Sequence, residues 1–100
     1  MGAPFTHGRW KVKAGREGEF ARAWLEMAIW TATEDLGSIS ARLLRDVGDP
    51  STFLSFGEWK SLEAIEQWRG HSGFQERMDR VRKLVDSVEV MTLELVAEES

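Results

Sequence analysis

Aromatic residues are concentrated in one short part of this sequence. Two of the five tryptophans, Trp59 and Trp68, follow Phe53 and Phe56 within residues 53–68. Aromatic side chains this close together could line a pocket for a flat apolar ligand, or they could form part of a hydrophobic core. Neither Trp nor Phe acts as an acid or base near neutral pH, although the indole can donate one hydrogen bond. The aromatic residues alone therefore leave both interpretations open.

The groups that could transfer a proton are few, because the chain has no tyrosine and no cysteine. His71 lies between two predicted helices, where it could reach a pocket mouth as a base or ligand, or remain an exposed linker residue. His7 lies on the polar side of a predicted strand and is interpreted as a surface residue. Two histidines 64 positions apart, with no matched carboxylate spacing, predict no metal site.

Length and composition predict the class of protein. One hundred residues with 42% hydrophobic side chains suit a single domain spanning residues 1–100, with an ordered core of about residues 5–96. The net charge of −4 argues against nucleic acid or an anionic membrane surface as a partner. No apolar run is long enough to span a membrane, and residues 1–4 do not resemble a signal peptide. We therefore expect a cytoplasmic protein.

Hydrophobic periodicity predicts four strands and three helices. The predicted strands are Phe5–Lys13, Ile39–Val47, Thr52–Trp59 and Ser87–Val96. The first predicted helix is Glu17–Thr33, with one face formed by Phe20, Trp24, Met27, Ala28 and Thr31. The others are Leu62–Arg69 and one that opens at Ser72, with one face formed by Phe74, Met78, Val81 and Val85. Gly48–Ser51 predicts a turn, Ser61 a helix cap, and Ser72–Gln75 a capping box. The charges within residues 76–83 are interpreted as a solvated face. This order predicts an α+β fold of ferredoxin-like, split βαβ topology, with a four-stranded antiparallel sheet.

The predicted sheet is apolar on both faces. Strand alternation places Leu54 and Phe56 on one face of the third strand, and Phe53 and Trp59 on the other. Helices cover only one face, so the other needs a partner. A second copy of the chain is the simplest one, and we predict a homodimer that associates through the sheet.

Several segments follow one another in order along nearly the whole chain. They are Trp10-Lys11-Val12-Lys13-Ala14-Gly15, Glu19-Phe20, Gly48-Asp49-Pro50, Trp59-Lys60-Ser61 and the segment from Trp68 to Phe74. Together they resemble the antibiotic biosynthesis monooxygenase domain. The resemblance implies the dimeric α+β barrel fold. That family includes cofactor-free monooxygenases of polycyclic aromatics and quinols, haem-degrading oxygenases, and proteins of unassigned role.

The resemblance can be followed position by position. Haem-degrading members use an asparagine, a tryptophan and a haem-ligating histidine, which correspond here to Gly8, Trp68 and Met78. Two of the three differ, so the resemblance disfavours haem degradation. In polyketide-oxidising members a tryptophan ends the third strand, as Trp59 does here. Their asparagine corresponds to Ser55, and a tyrosine of the following helix is replaced in this chain.

The resemblance and the residues together lead to one hypothesis and one alternative. The hypothesis is a cofactor-independent monooxygenase that acts on a small aromatic or quinol-type substrate. The predicted catalytic or polar contacts are His71 and Ser55, and the predicted substrate-binding residues are Trp59, Trp68, Phe56, Phe74 and Met78. The alternative is a non-catalytic module of the same fold that binds a small apolar molecule or haem. In that case the aromatic and methionine side chains would serve mainly as core.

Overall fold

One antiparallel sheet forms the base of the protein in the computed structural model, which describes residues 2–100. Its strands are β1 (Pro4–Val12), β2 (Ser38–Asp46), β3 (Asp49–Trp59) and β4 (Val85–Glu94), in the spatial order β2-β3-β1-β4. The helices within these residues are α1 (Glu17–Thr33), α2 (Leu62–Gly70) and α3 (Ser72–Arg82). The predicted α+β, ferredoxin-like topology is confirmed.

The main hydrophobic core lies between the sheet and α1. Four residues at helical spacing are buried on one side of this helix, as predicted: Phe20, Trp24, Met27 and Thr31. The Phe20 ring lies 5.4 Å from that of Trp10 on β1 and 5.1 Å from that of Phe53 on β3. We call the helix-covered side of the sheet the inner face and the opposite side the outer face. Tilted aromatic pairs of this kind fix the helix against the inner face.

The predicted turn between β2 and β3 is displaced. Asp46 pairs with Asp49, so the connection is the two-residue loop of Val47 and Gly48. The Asp46 carboxylate accepts a hydrogen bond from the Gly48 N–H at 2.8 Å, which stabilises this tight turn. Pro50 was expected in the turn and instead lies near the start of β3, a position where a strand tolerates proline.

Two details around α3 also differ from the prediction. His71, and not Ser72, caps the helix, because its Nδ1 accepts a hydrogen bond from the Gly73 N–H at 2.9 Å. Val85 was expected on the helical stripe but begins β4, where it pairs with Val12. The prediction for α2 is confirmed: Ser61 Oγ accepts a hydrogen bond from the Ala64 N–H at 3.1 Å.

The outer face carries apolar side chains that none of the described helices or strands covers. Leu44 and Met91 are each 52% exposed, and Leu54 and Phe56 lie between them on β3. The face therefore has the apolar character from which the homodimer was predicted, and the homodimer remains a prediction. No helix within residues 2–100 is long and apolar enough to cross a membrane.

Candidate functional site

A cavity of about 530 Å³ lies between the inner face of the sheet and the helices. The centre of its floor is formed by β1 and β3, with residues of β2 and β4 at the sides, and its walls are formed by side chains of α1, α2 and α3. The volume falls within the range of small-molecule sites, roughly 300–1,000 Å³. Most of the lining is apolar, so polar groups that face the cavity must account for any orientation of a ligand.

The floor is built from one sequence pattern that occurs twice, Thr/Ser-x-Gly-x-Trp. The two copies are Thr6-His7-Gly8-Arg9-Trp10 on β1 and Ser55-Phe56-Gly57-Glu58-Trp59 on β3. Their hydrogen bonds are reciprocal. Trp10 Nε1 donates to Ser55 Oγ at 3.0 Å, and Trp59 Nε1 donates to Thr6 Oγ1 at 3.0 Å. The tryptophan that ends each copy thus binds the hydroxyl that begins the other.

The strand register gives this floor a local two-fold symmetry. Thr6 lies opposite Gly57, and Gly8 lies opposite Ser55. A rotation that exchanges the two strands carries each of these pairs into the other, because the strands are antiparallel. The axis passes between His7 and Phe56, which also lie opposite each other. The two hydroxyls are therefore placed symmetrically about the centre of the floor.

The two glycines of the pattern are required by this close approach. A Cβ atom at Gly8 would lie 2.7 Å from Trp10 Nε1 and 2.9 Å from Ser55 Oγ. At Gly57 it would lie 3.0 Å from Thr6 Oγ1. Each indole crosses the sheet above a glycine to reach its hydroxyl, and a larger residue would displace that hydrogen bond and fill part of the floor.

The wall consists of aromatic rings that contact one another at tilted angles of 44° and 46°. The Trp68 ring centroid lies 4.8 Å from that of Trp59 and 4.0 Å from that of Phe74. Trp68 Nε1 donates to Thr31 Oγ1 at 3.1 Å, and the Thr31 hydroxyl donates in turn to the Met27 carbonyl at 2.8 Å. These bonds hold the wall against α1, and the tilted rings present an apolar surface beside the floor.

Most of the predicted site residues come together here. Ser55, Trp59, Trp68, Phe74 and Met78 line the cavity, and Phe56 also contributes to its lining. Strand alternation turns the Phe56 ring to the outer face, where its centroid is 4.7 Å from that of His7. The role of each residue in binding or catalysis stays a prediction.

The two histidines occupy different places. His71 is not among the residues that line the cavity; its Nδ1 caps α3, and its ring meets the Trp30 ring edge-on at 5.0 Å. An Nδ1 that accepts a hydrogen bond carries no proton, so the ring proton of neutral His71 is on Nε2. On the outer face, His7 Nδ1–H donates to the Ser55 carbonyl at 3.0 Å. His7 therefore contacts the main chain of a floor residue, which its predicted surface role did not include.

Charged residues lie at the mouth, on α2 and α3. Asp79 is the carboxylate of the lining, and Arg69 and Arg82 accompany it. Sequence reasoning had placed Asp79 on a solvated face. The signal that could have found it is helical spacing, because Gln75, Met78, Asp79 and Arg82 follow i, i+3, i+4, i+7. Within residues 2–100 no group of three or more His, Asp or Glu side chains is placed to hold a metal ion.

Comparisons with known proteins agree with this architecture. A family model described as antibiotic biosynthesis monooxygenase matches residues 5–80. SnoaB of Streptomyces nogalater, a cofactor-independent oxygenase, is similar in structure, with a TM-score of 0.85 at 19% identity over 100% of this chain and 97% of that one. A conserved protein of Methanosarcina mazei has a TM-score of 0.84 at 20% identity over 94% and 93% of the two chains. No curated protein matches the sequence.

Proposed function

Because the chain belongs to the antibiotic biosynthesis monooxygenase family, we propose that it is a cofactor-independent monooxygenase of a small aromatic or quinol-type substrate. The observation that carries the proposal is the cavity, which joins an aromatic wall to a floor with two hydroxyl groups that accept indole hydrogen bonds. The similarity in structure to a cofactor-independent oxygenase supports it. We further propose that the protein acts as a homodimer in the cytoplasm.

The reaction class follows from what such a substrate can supply. A substrate with a methylene group beside phenolic rings loses a proton, and the resulting anion passes one electron to dioxygen. The two radicals combine to form a carbon–oxygen bond, and the resulting peroxide anion takes back the proton. The O–O bond then breaks as the second hydrogen of the methylene carbon is lost, and the hydrogen and the hydroxide leave as water. The methylene group becomes a carbonyl, one oxygen atom enters the product, and the other leaves as water. The methylene carbon loses four electrons in all, which equals the number that dioxygen gains in forming the carbonyl oxygen and water, so no external reductant is needed.

The residues of the cavity have separate tasks in this proposal. The rings of Trp59, Trp68 and Phe74 stack on the substrate and exclude water from its anion. The Ser55 hydroxyl donates a hydrogen bond to the substrate oxygen that becomes negatively charged. Asp79 is the carboxylate of the lining that can accept the proton. His71 retains its role as the cap of α3, and the proposal routes no proton through it.

Oxygen consumption tests the proposal. We expect the purified protein, in the presence of a metal chelator, to accelerate oxygen uptake with anthrone or a hydroquinone from a panel. The variant Ser55→Ala should lower the rate about 100- to 1,000-fold, the usual loss when one donor to a developing negative charge is removed. The variant Val47→Ala changes a fully exposed hairpin residue and serves as the matched control. Uptake equal to the protein-free blank across the panel would contradict the proposal.

A non-catalytic binding module is the second candidate, and the hydrogen-bond inventory favours it. The indole N–H groups of Trp10, Trp59 and Trp68 are all bonded to hydroxyls, and His71 is outside the lining. Ligand-induced tryptophan quenching without oxygen uptake would support this candidate. A haem titration tests its haem variant, in which Met78 on the wall would be the ligand. No shift of the haem absorption band would exclude that variant.

A further inference from the structure

The two hydroxyls of the floor each act as the acceptor in a hydrogen bond from an indole. An indole N–H is only a donor, so Ser55 Oγ and Thr6 Oγ1 must accept the hydrogen bonds from Trp10 and Trp59. Each hydroxyl then has its own hydrogen left to donate. Neither hydroxyl donates to another group within the part of the chain that the structure describes, and both line the cavity. The indoles thus orient two hydroxyl donors toward a ligand.

A third pair of an indole and a hydroxyl, Trp68 and Thr31, differs from these two in where the hydroxyl hydrogen goes. Thr31 Oγ1 also accepts a hydrogen bond from an indole, that of Trp68, at 3.1 Å. Its hydrogen, however, is already donated to the Met27 carbonyl at 2.8 Å, and the residue is 4% exposed. Thr31 therefore has no hydrogen left to donate to a ligand. The chain thus contains two kinds of indole–hydroxyl pair. The hydroxyls of Thr6 and Ser55 can still donate a hydrogen bond, whereas the hydroxyl of Thr31 cannot.

The relative position of the two available donors limits what can bind. Thr6 and Ser55 are diagonal neighbours across β1 and β3, at a separation of roughly 7–8 Å for such pairs. The local two-fold axis of the floor relates them. A ring with oxygens at opposite positions has a matching two-fold axis through its centre. When such a ring lies on the floor, each oxygen meets one hydroxyl.

We propose that Thr6 and Ser55 form a two-point site for aromatic ligands with two acceptor oxygens in para positions on one ring, as in a para-quinone or a deprotonated para-quinol. The proposal rests on the proposed function for its choice of substrate class. The stacked wall holds the ring system, and the two donors set its rotation within the cavity. Thr6, which sequence reasoning left out, is a specificity-determining residue in this account.

The geometry predicts a ranking of simple ligands. 1,4-Naphthoquinone should bind more tightly than 1,2-naphthoquinone, whose adjacent oxygens reach only one of the two hydroxyls. Naphthalene, which offers the wall the same rings without oxygens, should bind more weakly than both. Quinone adducts with thiols do not complicate these measurements, because the chain has no cysteine.

Isothermal titration calorimetry of the three ligands tests the site on the full chain. We expect Thr6→Val and Ser55→Ala each to lower the affinity for 1,4-naphthoquinone about 2- to 10-fold, the usual effect of one neutral hydrogen bond, and to leave naphthalene unchanged. Thr6→Ser keeps the hydroxyl and should keep the affinity. Thr31→Val, the matched control, should not change the ratio of the quinone and naphthalene affinities.

Equal losses for quinone and naphthalene, or no loss for either, would overturn the two-point site. So would a 1,2-naphthoquinone affinity equal to that of the 1,4-isomer. These measurements do not depend on turnover. If the quinone ranking holds and oxygen uptake is absent, the site stands and the proposed reaction falls. If oxygen is consumed and the variants do not alter the ranking, the reaction stands and the two-point site falls.

Discussion

The two faces of the sheet use the same strands for different purposes. On the inner face, the indoles of Trp10 and Trp59 each donate a hydrogen bond to a hydroxyl, and two glycines leave space for the cavity above the strands. On the outer face, Leu44 and Met91 remain half exposed, and the aromatic pair of His7 and Phe56 lies at the centre. The inner face is covered by the helices of the same chain, whereas none of the described elements covers the outer face.

The difference follows from strand alternation, which places neighbouring residues of one strand on opposite faces of the sheet. Ser55 faces the cavity, while Phe56, the next residue, faces outward. A change at one position of β3 therefore tests ligand binding, and a change at the next tests association.

The largest expected effect on stability comes from removing an inner-face ring. Trp59 is 3% exposed, bonds Thr6 and stacks on Trp68, so Trp59→Ala should lower the free energy of unfolding by about 3–5 kcal/mol. Phe56→Ala on the outer face should cost roughly 1 kcal/mol at low protein concentration, since its ring is only partly buried in a single chain. Urea unfolding measures both values. Equal losses at low concentration would contradict the distinction.

A smaller effect on stability is expected when an added side chain fills part of the floor. Gly8→Ala places a methyl group 2.7 Å from Trp10 Nε1, and it should destabilise the protein by about 1–3 kcal/mol and weaken 1,4-naphthoquinone binding. Gly70→Ala is the matched control, because nothing lies within 4 Å of the added Cβ. Thermal unfolding and calorimetry report the two effects. A fully stable Gly8→Ala variant with unchanged ligand affinity would show that the floor is not built as described.

The outer face is tested by charge. Met91→Glu puts a carboxylate on the predicted dimer interface, and by symmetry it does so twice. We expect the dimer to dissociate at least tenfold more readily, about 1.4 kcal/mol. Val47→Glu, at a fully exposed hairpin residue, should leave association unchanged. Sedimentation velocity over a range of concentrations measures both. A monomeric wild-type protein would remove the homodimer from the account.

The smallest effect concerns a polar cluster at one end of the outer face. Lys11 Nζ donates to the Asp49 carboxylate at 2.6 Å, and this bond, with the one from the Thr52 hydroxyl, lowers the pKa of Asp49 from 3.8 to about 2. The folded state therefore holds the proton less tightly than the unfolded state. The stability gained from this carboxylate is present above pH 3.8 and is lost as the pH falls through about 2.

Asp49→Asn should remove this part of the acid dependence, so the variant should lose less stability than the wild type between pH 3.8 and about 2. Lys11→Met, which deletes the principal donor, should have the same effect. Urea midpoints measured across that interval provide the test. Parallel curves for the wild type and both variants would show that the cluster contributes nothing to acid stability.

Local sequence signals predicted the elements well, because a periodic pattern decides which side of an element is buried. The stripe of α1 and the Ser61 cap are examples. The cap of α3 was predicted at the wrong residue, since the imidazole of His71 accepts the bond that a serine hydroxyl usually accepts. Pro50 was assigned to the turn because proline is common in turns. The register of β2 and β3 instead places the turn at Val47 and Gly48.

The floor of the cavity could not be predicted in the same way. Its reciprocal bonds depend on the pairing of two strands that lie far apart in sequence. Hydrophobic periodicity excludes a shift of the register by one residue, which would turn every side chain to the other face, but it does not distinguish shifts by two. The repeated Thr/Ser-x-Gly-x-Trp pattern was visible in the sequence. Its meaning emerges only when Gly8 is placed opposite Ser55.

The central claim is that this cavity inserts one oxygen atom of dioxygen into an aromatic substrate without a cofactor. Mass spectrometry of the product formed from anthrone under isotopically labelled dioxygen, with a chelator present, tests it most directly. We predict one labelled oxygen atom per product molecule, and a labelled yield that falls with Ser55→Ala. A product without label, or labelling equal to that of the protein-free reaction, would contradict the claim.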